Sequence, residues 1–349
     1  MKAPFVWFGG KRRVAPEVWA ALGDVPNYIE PFAGSLAVLL GRPHDMSNGT
    51  RRAETVNDAD GFLANFWRAL AHDPEAVAHW CDWPVNEVDL FARHLWLVNT
   101  GRSRLLEGME ADPDFYDAQV AGWWVWGVNA WIGSGWCSGD GPWVDTGDGI
   151  GKRPHLGDAG QGVNRQLPHL GDAGQGVNRQ RPHLGDAGRA GYNNMEYRPN
   201  VLGYFEELAG RLRDVRVCCG DWSRVCTSGA MSYGSKVGVF LDPPYLGDVR
   251  TADLYAVDDH TISHAVRDWC LEHGDDPRLR IVLAGYRAEH DDLMPDTWRR
   301  HYYSASAAYS TTESAARQDG NHANRANEVL WFSPHCVTPD RQGELWEAL

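Results

Sequence analysis

Val237-Gly238-Val239-Phe240-Leu241 is a short apolar run that leads directly into Asp242-Pro243-Pro244-Tyr245. Its β-branched and aromatic residues predict a buried strand. Open α/β sheets bind their ligands just beyond the carboxyl ends of their strands. The tetrapeptide at 242–245 is therefore expected where such a sheet would hold a ligand.

The tetrapeptide offers hydrogen-bond acceptors and an aromatic ring. Two prolines remove two backbone N–H donors, so the Asp242 carboxylate and the backbone carbonyls remain as acceptors. An exocyclic amino group on a flat heterocycle would donate to Asp242 and to the Pro243 carbonyl, while Tyr245 stacks on the ring. As those bonds tighten, the nitrogen lone pair becomes free to attack an electrophile. The alternative interpretation is a proline-rich turn with a packed tyrosine.

Near the N-terminus the sequence predicts a strand, a glycine turn and a helix. Residues 28–30 are a short apolar run, Gly34 lies in the turn, and residues 36–40 begin an apolar helix. Glycine lets the backbone approach a ligand, and the helix N-terminus is partly positive. Asp58 follows the next strand, near the spacing of ~20 residues at which an acidic residue meets a ribose hydroxyl. These glycines indicate either a nucleoside site or a purely structural strand–helix junction.

Further apolar runs complete an α/β pattern. They predict a helix at 62–70 and strands at 215–219 and 280–286, and residues 301–303 and 328–332 predict a closing antiparallel pair. We therefore expect a mostly parallel α/β sheet with a reversed edge strand and helices on both faces.

The α/β pattern is interrupted by a long middle segment that contains a tryptophan-rich stretch. Residues 123–136 hold five tryptophans among glycines, and their N-terminal half has helical spacing. In one interpretation Asn129 and Trp131 belong to an element that approaches nucleic-acid bases. In the other, these side chains form a local aromatic core beneath a glycine-rich loop.

A 14-residue unit then repeats across residues 153–189. Each unit has too few apolar residues to bury a solenoid core, so loops or turns are expected. Basic residues outnumber acidic ones here, which suits phosphate and base-edge contacts; a duplicated surface linker is the alternative. The candidate nucleic-acid contacts are Lys152, Arg153, Arg165, Arg179 and Arg181.

Composition limits the class of protein. The net charge of −14 counts against broad electrostatic adhesion to nucleic acid, although a local basic face can still bind it. The seven cysteines show no CxxC pair, and we expect reduced thiols in a cytoplasmic protein without a metal site. No signal peptide and no apolar run of membrane-spanning length are found, so no membrane association is expected.

The order of these elements resembles that of the Dam-like DNA adenine-N6 methyltransferases, which use S-adenosylmethionine and carry a DPPY motif. That resemblance implies a Rossmann-like methyltransferase sheet with an inserted target-recognition lobe, and it implies that Asp242, Pro243, Pro244 and Tyr245 are catalytic. It implies S-adenosylmethionine contacts for Trp7, Gly9, Gly10, Lys11, Glu30, Pro31, Phe32, Ala33, Gly34, Ser35, Asp58, Asp221 and Trp222. Leu36 departs from the family pattern, because it occupies the place of the second turn glycine, and we expect it to alter the backbone of that turn.

The expected organisation is a catalytic and cofactor-binding domain at 1–74 and 213–349, with a target-recognition region inserted at 75–212. The expected reaction is methyl transfer to adenine N6 in double-stranded DNA after base flipping. Cytosine-N4 methylation and a catalytically silent DNA-binding protein of the same fold are the alternatives. A nicotinamide-dependent oxidoreductase is disfavoured, because the chain lacks GxGxxG. A partner restriction nuclease is compatible with the sequence, which does not define the recognition site or the oligomeric state.

Overall fold

The fold is seen in a computed structural model. It describes residues 1–5, 7, 10–43, 52–131, 136–137, 143–145, 150–152, 201–244, 259–303 and 328–338. At 143–145, 150–152 and 259–261 only the backbone is described.

The described residues form nine strands and ten α-helices. The strands are β1 Asn27–Glu30, β2 Ala53–Asp58, β3 Trp143–Asp145, β4 Ile150–Lys152, β5 Val215–Cys219, β6 Val237–Leu241, β7 Leu279–Tyr286, β8 Arg299–Tyr303 and β9 Glu328–Phe332. The helices are α1 Ala15–Leu22, α2 Ala37–Leu40, α3 Gly61–His72, α4 Pro74–Cys81, α5 Glu87–Trp96, α6 Arg102–Ala111, α7 Ala118–Ala130, α8 Val201–Leu212, α9 Asp259–His273 and α10 Arg287–His290.

Contacts divide the chain into two compact units. The helical unit comprises Met1–Trp7 and Ala59–Gly220, and the sheet unit comprises Phe8–Asp58 and Asp221–Leu349. These boundaries differ from the domain limits expected from the sequence, since residues 59–74 and β5 fall in the helical unit. The functional domain limits stay a prediction.

Six strands of the sheet unit lie in the order β2-β1-β6-β7-β9-β8. Strands β2, β1, β6 and β7 are mutually parallel, whereas β9 runs antiparallel to both β7 and β8. The expected mostly parallel α/β sheet is confirmed, and so is the closing antiparallel pair. This strand order is consistent with the Rossmann-like sheet that the resemblance implies.

The direction of chain progression reverses at β1. The chain passes from β1 to β2 on one side, and later places β6 on the other side of β1. A crevice opens beyond the carboxyl ends of strands at such a switch point, and ligands bind there. The turn after β1 and the residues after β6 therefore share this edge of the sheet.

Helix α1 covers part of the sheet unit. It packs against β6 and β7, and its Val18, Trp19 and Leu22 are buried. The Trp19 indole Nε1 donates a 2.7 Å hydrogen bond to the Val38 carbonyl in α2. Gly238 is required by this packing, because a Cβ added there would lie 2.9 Å from a Val25 methyl carbon. The glycine inside the buried run at 237–241 thus permits close packing onto the sheet.

The helical unit is organised around α7, which packs against α3 and α4. Its Trp124 contacts Phe5 and Phe66 at ring centroid distances of 5.3 Å and 5.6 Å. The guanidinium of Arg93 lies over the rings of Trp83, Trp123 and Trp126 at 4.3–5.2 Å. The expected helix in the tryptophan-rich stretch is confirmed, and α7 begins earlier than that stretch, at Ala118.

Among the described residues, no helix combines the length and apolar character needed to cross a membrane. Within that same set, no group of three or more His, Cys, Asp or Glu residues could hold a metal ion. All seven cysteines are free thiols.

Arg42 provides a test of how the sheet unit is held together. Its side chain is 2% exposed, pairs with Glu54 at 2.9 Å and Asp24 at 3.3 Å, and donates to the Val25 carbonyl. Breaking a buried ion pair by removing one partner costs about 3–5 kcal/mol. Arg42→Ala should therefore lower the free energy of unfolding by about 3–5 kcal/mol, measured by urea denaturation.

Arg52→Ala is the matched control, because Arg52 pairs with the same Asp24 but at a more exposed position. Arg52→Ala should lower the free energy of unfolding by about 1 kcal/mol or less. If both variants lost the same free energy of unfolding, burial would not be what makes the Arg42 ion pairs stabilising.

Candidate active site

The turn after β1 is held by the end of β2. Backbone N–H of Ala33 donates to the Asn57 carbonyl at 2.9 Å, and N–H of Gly34 donates to the Asp58 carboxylate at 3.0 Å. The side chain of Asn57 donates to the Pro31 carbonyl at 3.0 Å. The structure thus brings Asp58 and the predicted glycine turn into direct contact.

Two left-handed positions, separated by Ser35, shape this turn. Gly34 has φ +48°, and Leu36 has φ 55° with its side chain fully buried. A non-glycine residue in this region is strained by roughly 1–2 kcal/mol. Leu36 nevertheless adopts the backbone region that glycine favours, so the leucine has not removed the left-handed conformation from the turn.

Aromatic rings flank the same turn. Phe32 and Trp222 stack with centroids 6.1 Å apart and planes inclined by 27°. Trp222 also meets the edge of Trp269 from α9 at 6.4 Å. The exposed Asp221 carboxylate accepts a 2.9 Å hydrogen bond from Ser223 N–H, which fixes the short helical turn carrying Trp222. The predicted cofactor residues Asp221 and Trp222 therefore lie beside the β1 turn.

Asp242 follows β6 and forms an ion pair with Lys11. Their closest atoms, Lys11 Nζ and Asp242 Oδ1, are 3.0 Å apart, and the side chains are 5% and 20% exposed. The Glu328 Oε2 atom lies 4.0 Å from the same Nζ. The structure describes Pro243 and Pro244 beside Asp242, whereas Tyr245 lies outside the described residues. One buried ammonium group thus faces two carboxylates.

Glu30, the last residue of β1, is buried behind the turn. The Tyr28 hydroxyl donates to its Oε2 at 2.9 Å. Burial raises the pKa of Glu30 to about 8, the hydrogen bonds from Tyr28 and the Leu39 backbone oppose the shift, and the negative charge of Asp242 adds to it. Glu30 therefore joins β1 to α2 and carries a proton at neutral pH.

Several predicted contact residues lie in the interior of the helical unit. Trp7 packs against Phe5 and Trp124. The Asn129 side chain is buried and donates to the Pro4 and Val125 carbonyls, and Trp131 is 9% exposed and stacks on His94. This burial favours the aromatic-core interpretation of the stretch over direct contact with bases.

The remaining predicted contacts lie outside the described residues or have only a backbone. Lys152 ends β4, where the side chain is not described. Besides Tyr245, the predicted site residues outside the described part of the chain are Gly9, Arg153, Arg165, Arg179 and Arg181. Their roles stay predictions from the sequence.

A cavity of about 620 Å³ lies within the helical unit, at the ends of α3 and α8. Three arginines contribute to its lining, Arg68, Arg213 and Arg216. The carboxyl end of a helix is partly negative, so arginines near the ends of α3 and α8 complement the helix dipoles. None of the predicted site residues lines this cavity, and we base no chemistry on it.

Sequence reasoning missed the pairing of Lys11 with Asp242, as well as Glu328 and Trp269. A glutamate that opens the otherwise apolar run at 328–332 was the available signal for Glu328, because a buried carboxylate needs a partner. No local pattern indicated that Trp269 would meet Trp222.

The pKa of Glu30 predicts how stability depends on pH. The folded protein holds the Glu30 proton up to about pH 8, whereas the unfolded chain releases it near 4.5. The folded state therefore binds more protons between these values, and the free energy of unfolding should fall as pH rises through that window. Glu30→Gln should flatten this dependence in denaturation curves recorded from pH 5 to 8.

Exposed Glu272→Gln on α9 is the matched control, because an exposed carboxyl group changes its surroundings little on unfolding. An unchanged pH dependence in Glu30→Gln would show that Glu30 is ionised in the folded protein.

Residues 7–85 match the family model of the D12 class N6 adenine-specific DNA methyltransferases. The matched segment includes Lys11, the glycine turn after β1 and Asp58. No curated protein matches the chain. This match confirms, over residues 7–85, the resemblance found in the sequence, and the mostly parallel α/β sheet is consistent with it.

Proposed function

We propose that the protein transfers a methyl group from S-adenosylmethionine to adenine N6 in double-stranded DNA after flipping the base out of the helix. The observation that carries this proposal is the Asp242 carboxylate at the end of β6, held 3.0 Å from Lys11 at the switch point of the sheet. The family match supports the reaction class. Base flipping follows from the need to bring the amino group out of the stack.

The residues around the β1 turn fit S-adenosylmethionine. The half-exposed rings of Phe32 and Trp222 offer aromatic faces to an adenine, and Asp58 offers a carboxylate to ribose hydroxyls. The left-handed Gly34 lets the backbone approach the ligand closely. When bound, S-adenosylmethionine supplies an activated methyl group on a positively charged sulfur.

Asp242 and Pro243 would bind the amino group of the flipped adenine. The Asp242 carboxylate and the Pro243 carbonyl accept its two hydrogens, which frees the nitrogen lone pair from conjugation with the ring. Lys11 holds the carboxylate in one orientation through the 3.0 Å ion pair. The amino nitrogen would then take the methyl group that the cofactor supplies, and it would give up one proton to water. Orientation and preorganised acceptors supply the acceleration.

DNA binding must overcome the net charge of −14. We assign phosphate contacts to the basic repeat region, with Lys152, Arg153, Arg165, Arg179 and Arg181, on the sequence pattern alone. The interior position of Asn129 and Trp131 leaves them a structural role in the helical unit. Flipping costs a few kcal/mol, which stacking on Tyr245 and the bonds to Asp242 would offset.

Asp242→Ala tests the reaction. The variant should lose at least about 100-fold in methyl transfer, because the acceptor of the amino hydrogens is gone. Its affinity for S-adenosylmethionine should stay within about threefold, because the β1 turn is held by β2 and not by Asp242. Transfer is measured with unmethylated duplex DNA, and the methylated nucleoside is identified by mass spectrometry.

Asp268→Ala is the matched control, since Asp268 is an exposed carboxylate on α9 of the sheet unit. Near-normal transfer by Asp242→Ala would refute the catalytic role. N4-methylcytosine as the product would move the reaction to the cytosine alternative, and cofactor binding without any product would favour the silent DNA-binding protein.

Asp58→Asn tests the cofactor site. The asparagine oxygen can still accept from Gly34 N–H, so the thermal midpoint should change little. The loss of the charge and of acceptor capacity should weaken S-adenosylmethionine binding about tenfold or more by titration calorimetry. Exposed Asp296→Asn controls for the charge change, and unaltered affinity in Asp58→Asn would exclude Asp58 from the cofactor site.

A further inference from the structure

Glu328 is a buried carboxylate at the beginning of an apolar strand. It opens β9, in which all five residues are buried. Its register partners are Tyr286 at the carboxyl end of β7 and Tyr303 at the end of β8, so it lies at the edge of the sheet that holds Asp242. Placing an ionised carboxylate there is costly unless a cation compensates it.

Lys11 is the cation that faces it. The Glu328 Oε2 atom lies 4.0 Å from Lys11 Nζ, and the two side chains are 7% and 5% exposed. Asp242 Oδ1 lies 3.0 Å from the same nitrogen. The ammonium group is therefore shared unequally between two carboxylates, with Asp242 as the nearer partner.

Sharing one cation between two carboxylates has a chemical consequence for Asp242. A lysine paired with Asp242 alone would neutralise the acceptor that the substrate amino group needs. The second carboxylate, Glu328, attracts the Lys11 ammonium group away from Asp242. Asp242 therefore keeps more of its negative charge. In a buried site the effect of Glu328 on the charge left on Asp242 is large, because charge interactions are weakly screened there. The protonated Glu30 adds no charge to this balance at neutral pH.

We propose that Glu328 is a positioning residue for methyl transfer, which holds Lys11 at the distance that orients Asp242 without neutralising it. This inference rests on the proposed function, because it assigns to Asp242 the role of amine acceptor. Glu328 acts through Lys11 and need not touch the substrate.

Glu328→Gln removes the charge while it keeps the size of the side chain. Lys11 should then move toward Asp242, and kcat should fall about 10- to 100-fold. The KM for DNA and the Kd for S-adenosylmethionine should stay within about threefold, and the thermal midpoint should not fall. Glu328→Asp, which keeps the charge on a shorter side chain, should recover part of kcat. Exposed Glu272→Gln is the control.

A double-mutant cycle with Lys11→Met tests whether Glu328 acts through Lys11. In the Lys11→Met background Glu328→Gln should change kcat by less than about twofold. Multiplicative losses, or a kcat of Glu328→Gln equal to that of the parent, would overturn the inference. If Lys11→Met does not fold, the uncharged Lys11→Gln takes its place in the same cycle.

A second measurement does not depend on catalysis. The Lys11 ¹⁵Nζ signal in lysine-labelled protein should shift in Glu328→Gln and stay unchanged in Glu272→Gln. No shift would overturn the inference whatever the activity. Failure of the proposed function would show separately, as a parent protein that yields no methylated adenine while the Lys11 signal still responds to Glu328→Gln.

Discussion

The ion pair between Lys11 and Asp242 is the constraint around which this edge of the sheet is arranged. The proposed reaction needs an acceptor carboxylate that is shielded from bulk water, on a chain whose net charge is −14. Burial raises the pKa of Glu30, and the negative charge of Asp242 adds to that rise. The buried Lys11 ammonium group lies 3.0 Å from Asp242, and Glu30 relieves the crowding of negative charge by keeping its proton. The electrostatics of the site therefore depend on how the positive charge of Lys11 is shared between Asp242 and Glu328.

The parallel sheet supplies the rest of the geometry mainly through its backbone. Strands β1 and β6 are neighbours, so the turn after β1 and Asp242 after β6 are placed side by side without any flexible connection. The end of β2 then closes the turn with hydrogen bonds from Ala33 and Gly34. Because Asp58 is used in that closure, its carboxylate is already oriented before any ligand arrives. The strained Leu36 is tolerated since its side chain is fully buried.

Local signals predicted much of this arrangement. The runs that became β6, β7 and β9 are apolar on both faces, as strands inside a covered sheet must be, and Asp58 and Gly34 lay at recognisable spacings. The pairing of Lys11 with Asp242 could not be predicted, because it joins side chains more than two hundred residues apart and only the strand order brings them together. The left-handed φ of Leu36 was hidden for a similar reason: tertiary burial overrides the preference of the residue. The interior position of Asn129 was hidden because α7 is apolar on nearly all sides, which gives no indication of which face meets water.

The tryptophans of the helical unit have a consequence for recognition. Trp124 lies in the aromatic core with Phe5 and Phe66, and Trp126 is stacked against Arg93. Rings committed to such a core are not available to stack on an extruded base. In the proposed function the flipped base then stacks on Tyr245, while the half-buried rings of Phe32 and Trp222 face the cofactor. The tryptophan-rich stretch therefore forms part of the aromatic core of the helical unit, and the proposed contacts with DNA fall to polar side chains elsewhere.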